Sequence, residues 1–301
     1  MYVTIIAVAL LMVLIGGPLI LGLIGWVAKG STKPAPAARR DWRLTINSAL
    51  IYTFAFNLTF FIQELFLVVP KALTPGLRPT LYHNNHGWEG DHPLASLFQG
   101  TGALAIFISG LLFAFLLSRR PPRSSLVRLF FIWMAYHGLF QSLPQVAAGA
   151  ISPGNDVGMA MDYLGMSSAA KTIAALVALA AIPFIALALG RSLLGLAPAQ
   201  AAIASAGDRT RFIFRVATVP GLIAIPLIIA FRVPREVLEV VLPPVLVTII
   251  GIAWMQAGAW WMRNAKADGS LAPGSIRTPL AAVLVLLLVF QIILRPGIAF
   301  F

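Results

Sequence analysis

The sequence predicts an all-α, polytopic integral membrane protein, built as one helical bundle of about eight transmembrane helices. Two features of the composition predict this class: 59% of the 301 residues are hydrophobic and only 11% are charged. A soluble domain carries about 25% charged residues, so this chain has too few charges for a water-exposed surface. The third feature is a series of apolar stretches that are long enough to cross the hydrocarbon core, which takes about 20 helical residues.

Eight stretches have this length or nearly this length, and each is expected to be helical because lipid offers no partners for backbone polar groups. They cover residues 3–28, 46–69, 96–118, 127–150, 169–190, 212–231, 237–262 and 278–298. Whether 212–231 and 237–262 form two full spans stays open, since only five residues separate them. The chain 1–301 is predicted to be a single transmembrane domain, with a short outer loop at 70–95 that is rich in histidine, asparagine and acids.

The basic residues favour one orientation. Of the 22 lysines and arginines, 16 fall in the first, third, fifth and seventh loops. Basic loops stay in the cytoplasm, so both termini are expected outside. The alanine- and arginine-rich usage indicates a bacterial source, and we therefore expect a multi-pass protein of the bacterial inner (plasma) membrane. The lipid bilayer is the predicted partner, whereas basic residues dispersed over four loops without stacking aromatics do not indicate nucleic-acid binding.

An acid lies inside the second apolar stretch. Glu64 is about two-thirds along it, where an ionised carboxylate costs about 2.5 kcal/mol or more. It must therefore face the bundle, pair with a partner or be protonated. Asn57 lies seven residues earlier on the same helical face, and Gln63 is adjacent. Glu64 is either a buried hydrogen-bonded group that fixes helix packing or a catalytic residue.

A polar stripe in the fourth stretch is the expected partner of this acid. His137, Gln141 and Gln145 recur every four residues and so share one face of an apolar helix. Asp156 follows in the next connection. A structural role and a site role both remain open for the stripe. The predicted intramembrane polar cluster consists of Asn57, Gln63, His137, Gln141, Gln145 and Asp156.

The outer loop contains a candidate metal site. His83 and His86 have the spacing of a chelating pair in a tight turn, and His92 or Glu89 would complete three ligands. Imidazole suits zinc or another divalent metal, and the chain has no cysteine to supply a thiolate. The alternative is a hydrogen-bonded loop in which these side chains cap helices.

Three motifs between residues 45 and 165 together resemble the site-2 protease-like (M50) membrane metallopeptidases. That family has a His-Glu-x-x-His helix, and FFIQELFLVVP resembles it, with Gln63 and Glu64 in the His-Glu places. The segment LFQGTGALAIFISGLL, with Gln99, Gly100 and Gly102, resembles the family's small-residue helix. The segments QSLPQ and SPGNDVG resemble the part that supplies the third zinc ligand, with Asp156 in the place of the acid.

The family's zinc ligands are not retained, because Gln63 and Leu67 stand where its histidines would be. The resemblance therefore implies a catalytically degenerate core in a binding or scaffold protein, or in an accessory subunit of a membrane complex. One alternative is a divergent metal-dependent membrane hydrolase with a site from Glu64, His83 and His86. The other is a small-solute or ion transporter whose polar path contains Glu64, His137, Gln141 and Gln145.

Overall fold

A computed structural model of the chain describes residues 2–28, 42–269 and 272–301. In this part of the chain, eight long helices and one short α-helix form a bundle with one large hydrophobic cluster and two smaller ones, and one end carries a small sheet. The helices are α1 (Tyr2–Ala28), α2 (Trp42–Ala72), α3 (Leu94–Arg119), α4 (Ser125–Ile151), α5 (Asp156–Tyr163), α6 (Ser168–Leu194), α7 (Ala206–Arg232), α8 (Val237–Gly258) and α9 (Arg277–Leu294). The basic first loop around KPAPAARR lies outside the described residues.

Seven of the described helices are long and apolar enough to cross a membrane, which confirms the predicted all-α polytopic bundle. They include both α7 and α8, so the two closely spaced stretches form two separate helices. The remaining predicted stretch, 127–150, forms α4, which is long enough but less apolar than the other seven. It packs against α2, α3 and α6, and most of its residues are buried. A helix surrounded by protein needs no continuous apolar surface. This explains why seven helices, and not the predicted eight, are apolar enough to span a membrane.

Helix α4 runs through the full depth of the bundle. At its start, Ser125 and Arg128 bind the connection between α8 and α9, through the carbonyl of Ala272 and the carboxylate of Asp268. Toward its other end, Gln145 bonds to Gln63 in the second half of α2. The second half of α4 therefore lies beside the second half of α2.

Helix α2 continues beyond its predicted end because a neighbour replaces a lost hydrogen bond. Pro70 lies inside the helix and has no N–H to offer to the carbonyl of Phe66. The hydroxyl of Thr101 in α3 donates to this carbonyl, at 2.6 Å. Helix α2 therefore reaches Ala72 without leaving a carbonyl unpaired in an apolar environment.

The outer loop contains a β-hairpin. Strands β1 (Arg78–Leu81) and β2 (His86–Glu89) pair antiparallel, with Leu81 opposite His86. A short C-terminal strand, β3 (Ile298–Ala299), pairs with the other edge of β1 and completes the order β2-β1-β3. Because side chains alternate along a strand, His86 and Trp88 lie on one face of the hairpin. This pairing holds the loop in place over the end of α2.

Helices α3 and α4 touch backbone to backbone at a pair of glycines. A Cβ atom added to Gly138 would lie 2.6 Å from the Cα of Gly110 and 2.6 Å from the carbonyl oxygen of Ile106. Both of these neighbours are main-chain atoms and cannot move aside without shifting a helix. The close approach of these two helices therefore requires glycine at this position.

Replacement of Gly138 by alanine is expected to lower the free energy of unfolding by about 1–3 kcal/mol, because overpacking displaces a helix. Unfolding in detergent, followed by circular dichroism, measures the change. Gly154→Ala is the matched control, since no atom lies within 4 Å of a Cβ there, and its effect should stay below about 0.5 kcal/mol. Equal stability of both variants would contradict this packing.

Candidate functional site

A polar cluster lies beneath the hairpin, at the ends of α2 and α3. We call it the hairpin cluster. Glu64 is only 6% exposed, Gln99 4% and Lys71 0%. Buried groups of this kind destabilise a protein unless they are paired, so each contact in the cluster matters. Its members are Glu64 and Lys71 of α2, His86 and Trp88 of β2, Gln99 of α3 and Asp156 of α5.

His86 lies at the centre of the cluster. Its Nδ1 is 2.9 Å from Oε2 of Glu64, and because a carboxylate only accepts, Nδ1 donates this bond. Its Nε2 is 3.0 Å from Oε1 of Gln99 and 3.4 Å from Nζ of Lys71. Nε2 therefore either donates a hydrogen bond to the amide oxygen of Gln99 or accepts one from the ammonium group of Lys71. The imidazole joins the hairpin to both membrane helices.

Lys71 has partners on several sides although it is fully buried. Its ammonium group donates to Oε1 of Gln99 at 2.8 Å and to the carbonyl of Leu67 at 3.0 Å. It also lies 4.5 Å from the centre of the Trp88 ring, which is cation–π distance. Trp88 stacks in turn on the His86 ring, with the two planes inclined by 13°. The hairpin thus covers the cluster on the side away from the helices.

Asp156 adds a second acid. It is the first residue of α5, after the N-cap Asn155, whose side-chain oxygen accepts from the N–H of Gly158 at 2.9 Å. Burial raises the pKa of Asp156 above its ordinary value; Glu64 acts in the same direction, whereas His86 and Lys71 act against it. The cluster therefore combines two acids with two bases.

Arg232 brings a further cation to the same face of α2. It is 5% exposed, and its guanidinium lies 4.4 Å from the centre of the Phe60 ring, one helical turn before Glu64. Its Nη2 donates to the carbonyl of Glu239 at 3.2 Å. Glu64 attracts this charge electrostatically without forming a direct ion pair.

The predicted intramembrane cluster divides into separate groups. Nε2 of Gln145 donates to Oε1 of Gln63 at 2.9 Å and to the carbonyl of Gln141 at 2.8 Å, so the stripe on α4 does reach α2. Asn57 instead donates to the carbonyl of Thr53 in its own helix. Of the predicted set, Asp156 alone joins Glu64 in the hairpin cluster.

His137 lies apart from the other residues of its stripe. It is fully buried in an aromatic enclosure, and its ring centre is 4.3 Å from that of Tyr52 and 5.1 Å from that of Tyr136. Phe56 and Trp133 complete the enclosure. The spacing along α4 predicts one shared face, but the bundle surrounds the first member, His137, with aromatic rings.

The three outer histidines have three different sets of partners. His86 belongs to the hairpin cluster, His92 accepts from the N–H of Leu94 at the start of α3, and His83 lies beside the carbonyls of Arg232 and Val233. The described part of the chain has no group of three or more His, Asp or Glu side chains placed to hold a metal ion. The structure thus gives the predicted three-histidine metal site no geometric support.

Sequence reasoning did not include Lys71 or Trp88 among the site residues, and Gln99 entered only through a motif. Two spacings in the sequence could have identified Lys71 and Trp88. Lys71 follows Glu64 by seven residues, which places it on the same helical face, and Trp88 follows His86 by two residues in a strand. Comparisons of the chain with protein-family models, with curated proteins and with solved structures give no match.

The bond between Glu64 and His86 is expected to contribute about 1.5–3 kcal/mol of coupling, the range for a hydrogen bond to a charged group. A double-mutant cycle of Glu64→Gln and His86→Ala, measured by unfolding in detergent, determines it. Glu89→Gln, combined with His86→Ala, is the control because Glu89 is exposed on the same strand. Equal coupling in both cycles would refute a specific Glu64–His86 interaction.

Acid is expected to destabilise the hairpin turn through His83. Burial lowers the pKa of this imidazole below its ordinary value of 6.5, and the charges of Arg295 and Arg235 act in the same direction, against the nearby carbonyls. Below pH 6.5 the unfolded chain binds this proton more readily than the folded one. The stabilisation present above that pH is therefore lost as the pH falls toward the folded pKa.

The melting temperature of the wild type, compared at about pH 8 and about pH 5, should therefore fall more than that of a His83→Gln variant. His92→Gln, which changes a half-exposed histidine at the start of α3, should retain the pH dependence of the wild type. A His83→Gln variant as acid-sensitive as the wild type would exclude this cause.

Proposed function

We propose that this chain is a catalytically degenerate member of the site-2 protease-like class. It works as a binding or scaffold protein, or as an accessory subunit of a membrane complex. One observation carries this proposal: the two positions of the zinc-binding histidines are occupied by side chains that pack the bundle. Gln63 is bonded to Gln145 at 2.9 Å, and Leu67 is fully buried.

These residues do not fit a zinc ion. Zinc sites in proteins use imidazole, thiolate or carboxylate ligands, whereas these positions offer one amide and one hydrocarbon side chain. Helices α2 and α3 are also in direct contact here. A Cβ atom on Gly102 of α3 would lie 2.7 Å from both the carbonyl oxygen of Gln63 and Cγ of Leu67 in α2. Glu64 binds His86 instead, so no hydrolytic step through a metal follows from this arrangement.

The position of the three motifs supports the family assignment. The helix with Gln63 and Glu64, the small-residue helix with Gln99 and the segment that ends at Asp156 converge on one site. They are far apart in the sequence, and each was selected by its own pattern. Because basic loops stay in the cytoplasm, we place the hairpin cluster and both termini on the outer side of a bacterial inner membrane.

The two alternatives have less support. A transporter needs a continuous polar path, whereas His137 lies among aromatic rings. A metal-dependent hydrolase needs His83 beside His86, and these two side chains have different partners. Hydrogen bonds within the hairpin cluster serve to hold one fixed arrangement of helices and hairpin, which suits a scaffold.

Metal content and peptidase activity test the loss of catalysis. We expect purified wild-type protein and a His83→Ala/His86→Ala variant to contain the same background level of metal by elemental analysis. We also expect neither wild type nor Glu64→Gln to cleave a transmembrane peptide reporter in the presence of zinc. Near-stoichiometric zinc that disappears in the histidine variant, or cleavage that is lost in Glu64→Gln, would overturn the proposal.

The scaffold role is tested by extraction from native membranes. In a mild detergent the protein should migrate in a particle larger than its own 32.2 kDa chain with bound detergent, together with another membrane protein in fixed proportion. The same preparation in a denaturing detergent gives the size of the chain alone. A particle that contains one copy of this chain and no other protein would contradict the accessory-subunit role.

A further inference from the structure

A cleft opens at the end of the bundle opposite the hairpin cluster. Its volume is about 380 Å³. Helices α1 and α8 end beside it, and α7 begins there. Its lining combines two arginines with two aromatic indoles and several small residues, and the polar and aromatic members are Ser205, Arg209, Trp260, Trp261 and Arg263.

Arg209 is held rigidly in the wall of this cleft. It is 5% exposed, and among the described residues its guanidinium donates to main-chain carbonyls alone. The carbonyl oxygens are those of Ile203, Ala204, Ala259 and Trp260, at 3.0–3.3 Å. These bonds fix the position of the guanidinium, but carbonyl groups have no net charge, so the four bonds do not neutralise its positive charge.

A second guanidinium lies close to the first. Arg263 and Arg209 line the same cleft and carry the same charge, so they repel each other. Two like charges at one cleft raise the energy of the folded protein unless an anion compensates them. Unlike Arg209, Arg263 is exposed and forms no ion pair among the described residues.

The two acids that the structure describes near the cleft have other arginine partners. Asp208 binds Arg211 at 2.6 Å and accepts from the hydroxyl of Ser205 at 2.6 Å, and Asp268 binds Arg128. Within the described ranges, therefore, neither arginine of the cleft has a carboxylate in ion-pair contact. The start of α7 adds to the positive potential, because its first N–H groups point out of the helix.

The tryptophans place the cleft at the level of the membrane surface. Indole rings are enriched at the boundary between hydrocarbon and water. The ring of Trp260 lies against Gly25, where a Cβ atom would be 2.3 Å from the indole, so α1 closes one wall. Trp261 is 43% exposed at the rim. A ligand here would meet guanidinium groups at its polar part and indole rings beside its chains.

We propose that this cleft binds a phosphate group, as presented by the headgroup of an anionic phospholipid. Pockets with basic residues between transmembrane helices have the chemistry that such headgroups require. The phosphate lies between Arg209 and Arg263, and its charge offsets their mutual repulsion. The acyl chains leave the cleft along α1 and α8 into the bilayer. Free inorganic phosphate has the same charged group and is the second source to be distinguished.

Native mass spectrometry of the detergent-purified chain tests this site with phosphatidylglycerol and phosphatidylcholine. We expect phosphatidylglycerol to bind more tightly, and Arg263→Gln to weaken it about fivefold, which is the contribution of one basic residue near an anionic surface. Arg191→Gln is the matched control: it removes one exposed charge at the same end of the bundle, outside the cleft, and should leave binding unchanged. Arg263→Lys, which keeps the charge, should restore most of the affinity.

Competition with inorganic phosphate separates the two sources. Displacement of phosphatidylglycerol by millimolar phosphate identifies the phosphate group alone as the ligand, and retention of the lipid identifies the whole headgroup with its chains. Equal binding of the two lipids, or equal losses in Arg263→Gln and Arg191→Gln, would overturn the proposal. Melting temperatures of all variants verify folding, and Arg263 has no described side-chain hydrogen bond whose loss would unfold the chain.

Discussion

The bond between Glu64 and His86 is the contact on which the outer half of the molecule depends. It links a carboxylate on a membrane helix to an imidazole on a strand outside the helices. An unpaired carboxylate in the bilayer costs about 2.5 kcal/mol or more, so α2 requires such a partner. The hairpin requires the contact too, since a two-stranded hairpin has little stability alone. Each element therefore stabilises the position of the other.

The other contacts of the hairpin cluster follow from this bond. Once His86 is fixed, its second nitrogen meets Gln99, which also accepts from Lys71. Lys71 can be fully buried because this oxygen, a carbonyl and the Trp88 ring surround its ammonium group. Breaking a buried charged network by removing one partner leaves the others uncompensated, so such networks hold a single arrangement. This behaviour suits a fixed scaffold better than a path along which protons move.

The sequence predicted the helices well because one constraint determines them. Backbone groups in lipid must pair within their own segment, so apolar stretches long enough to span become helices, and most predicted boundaries lie within a few residues of the observed ones. Helix α4 was the exception in composition, since its surroundings are protein. The hairpin was not predicted, because its strands are four residues long and β3 comes from the far C-terminus.

The candidate site was predicted less completely, for a different physical reason. Spacing along one helix shows which side chains share a face, and it brought Gln145 to α2 correctly. It does not show which element covers that face. His83, His86 and His92 are neighbours in the sequence, yet the hairpin turn, the β2 strand and the start of α3 direct them to three different environments. Contacts between elements decided the site, and those depend on the whole bundle.

The two ends of the bundle differ in how their charged side chains are paired. At the hairpin end, buried acids and bases neutralise one another within the protein. At the cleft end, Arg209 and Arg263 have no ion-pair partner among the described residues, while Asp208 and Asp268 bind other arginines. Basic loops are retained on the cytoplasmic side, where the leaflet also carries anionic lipids. In the orientation proposed above, the same asymmetry of basic loops would bring the arginines of the cleft to the leaflet that carries the proposed anionic ligand.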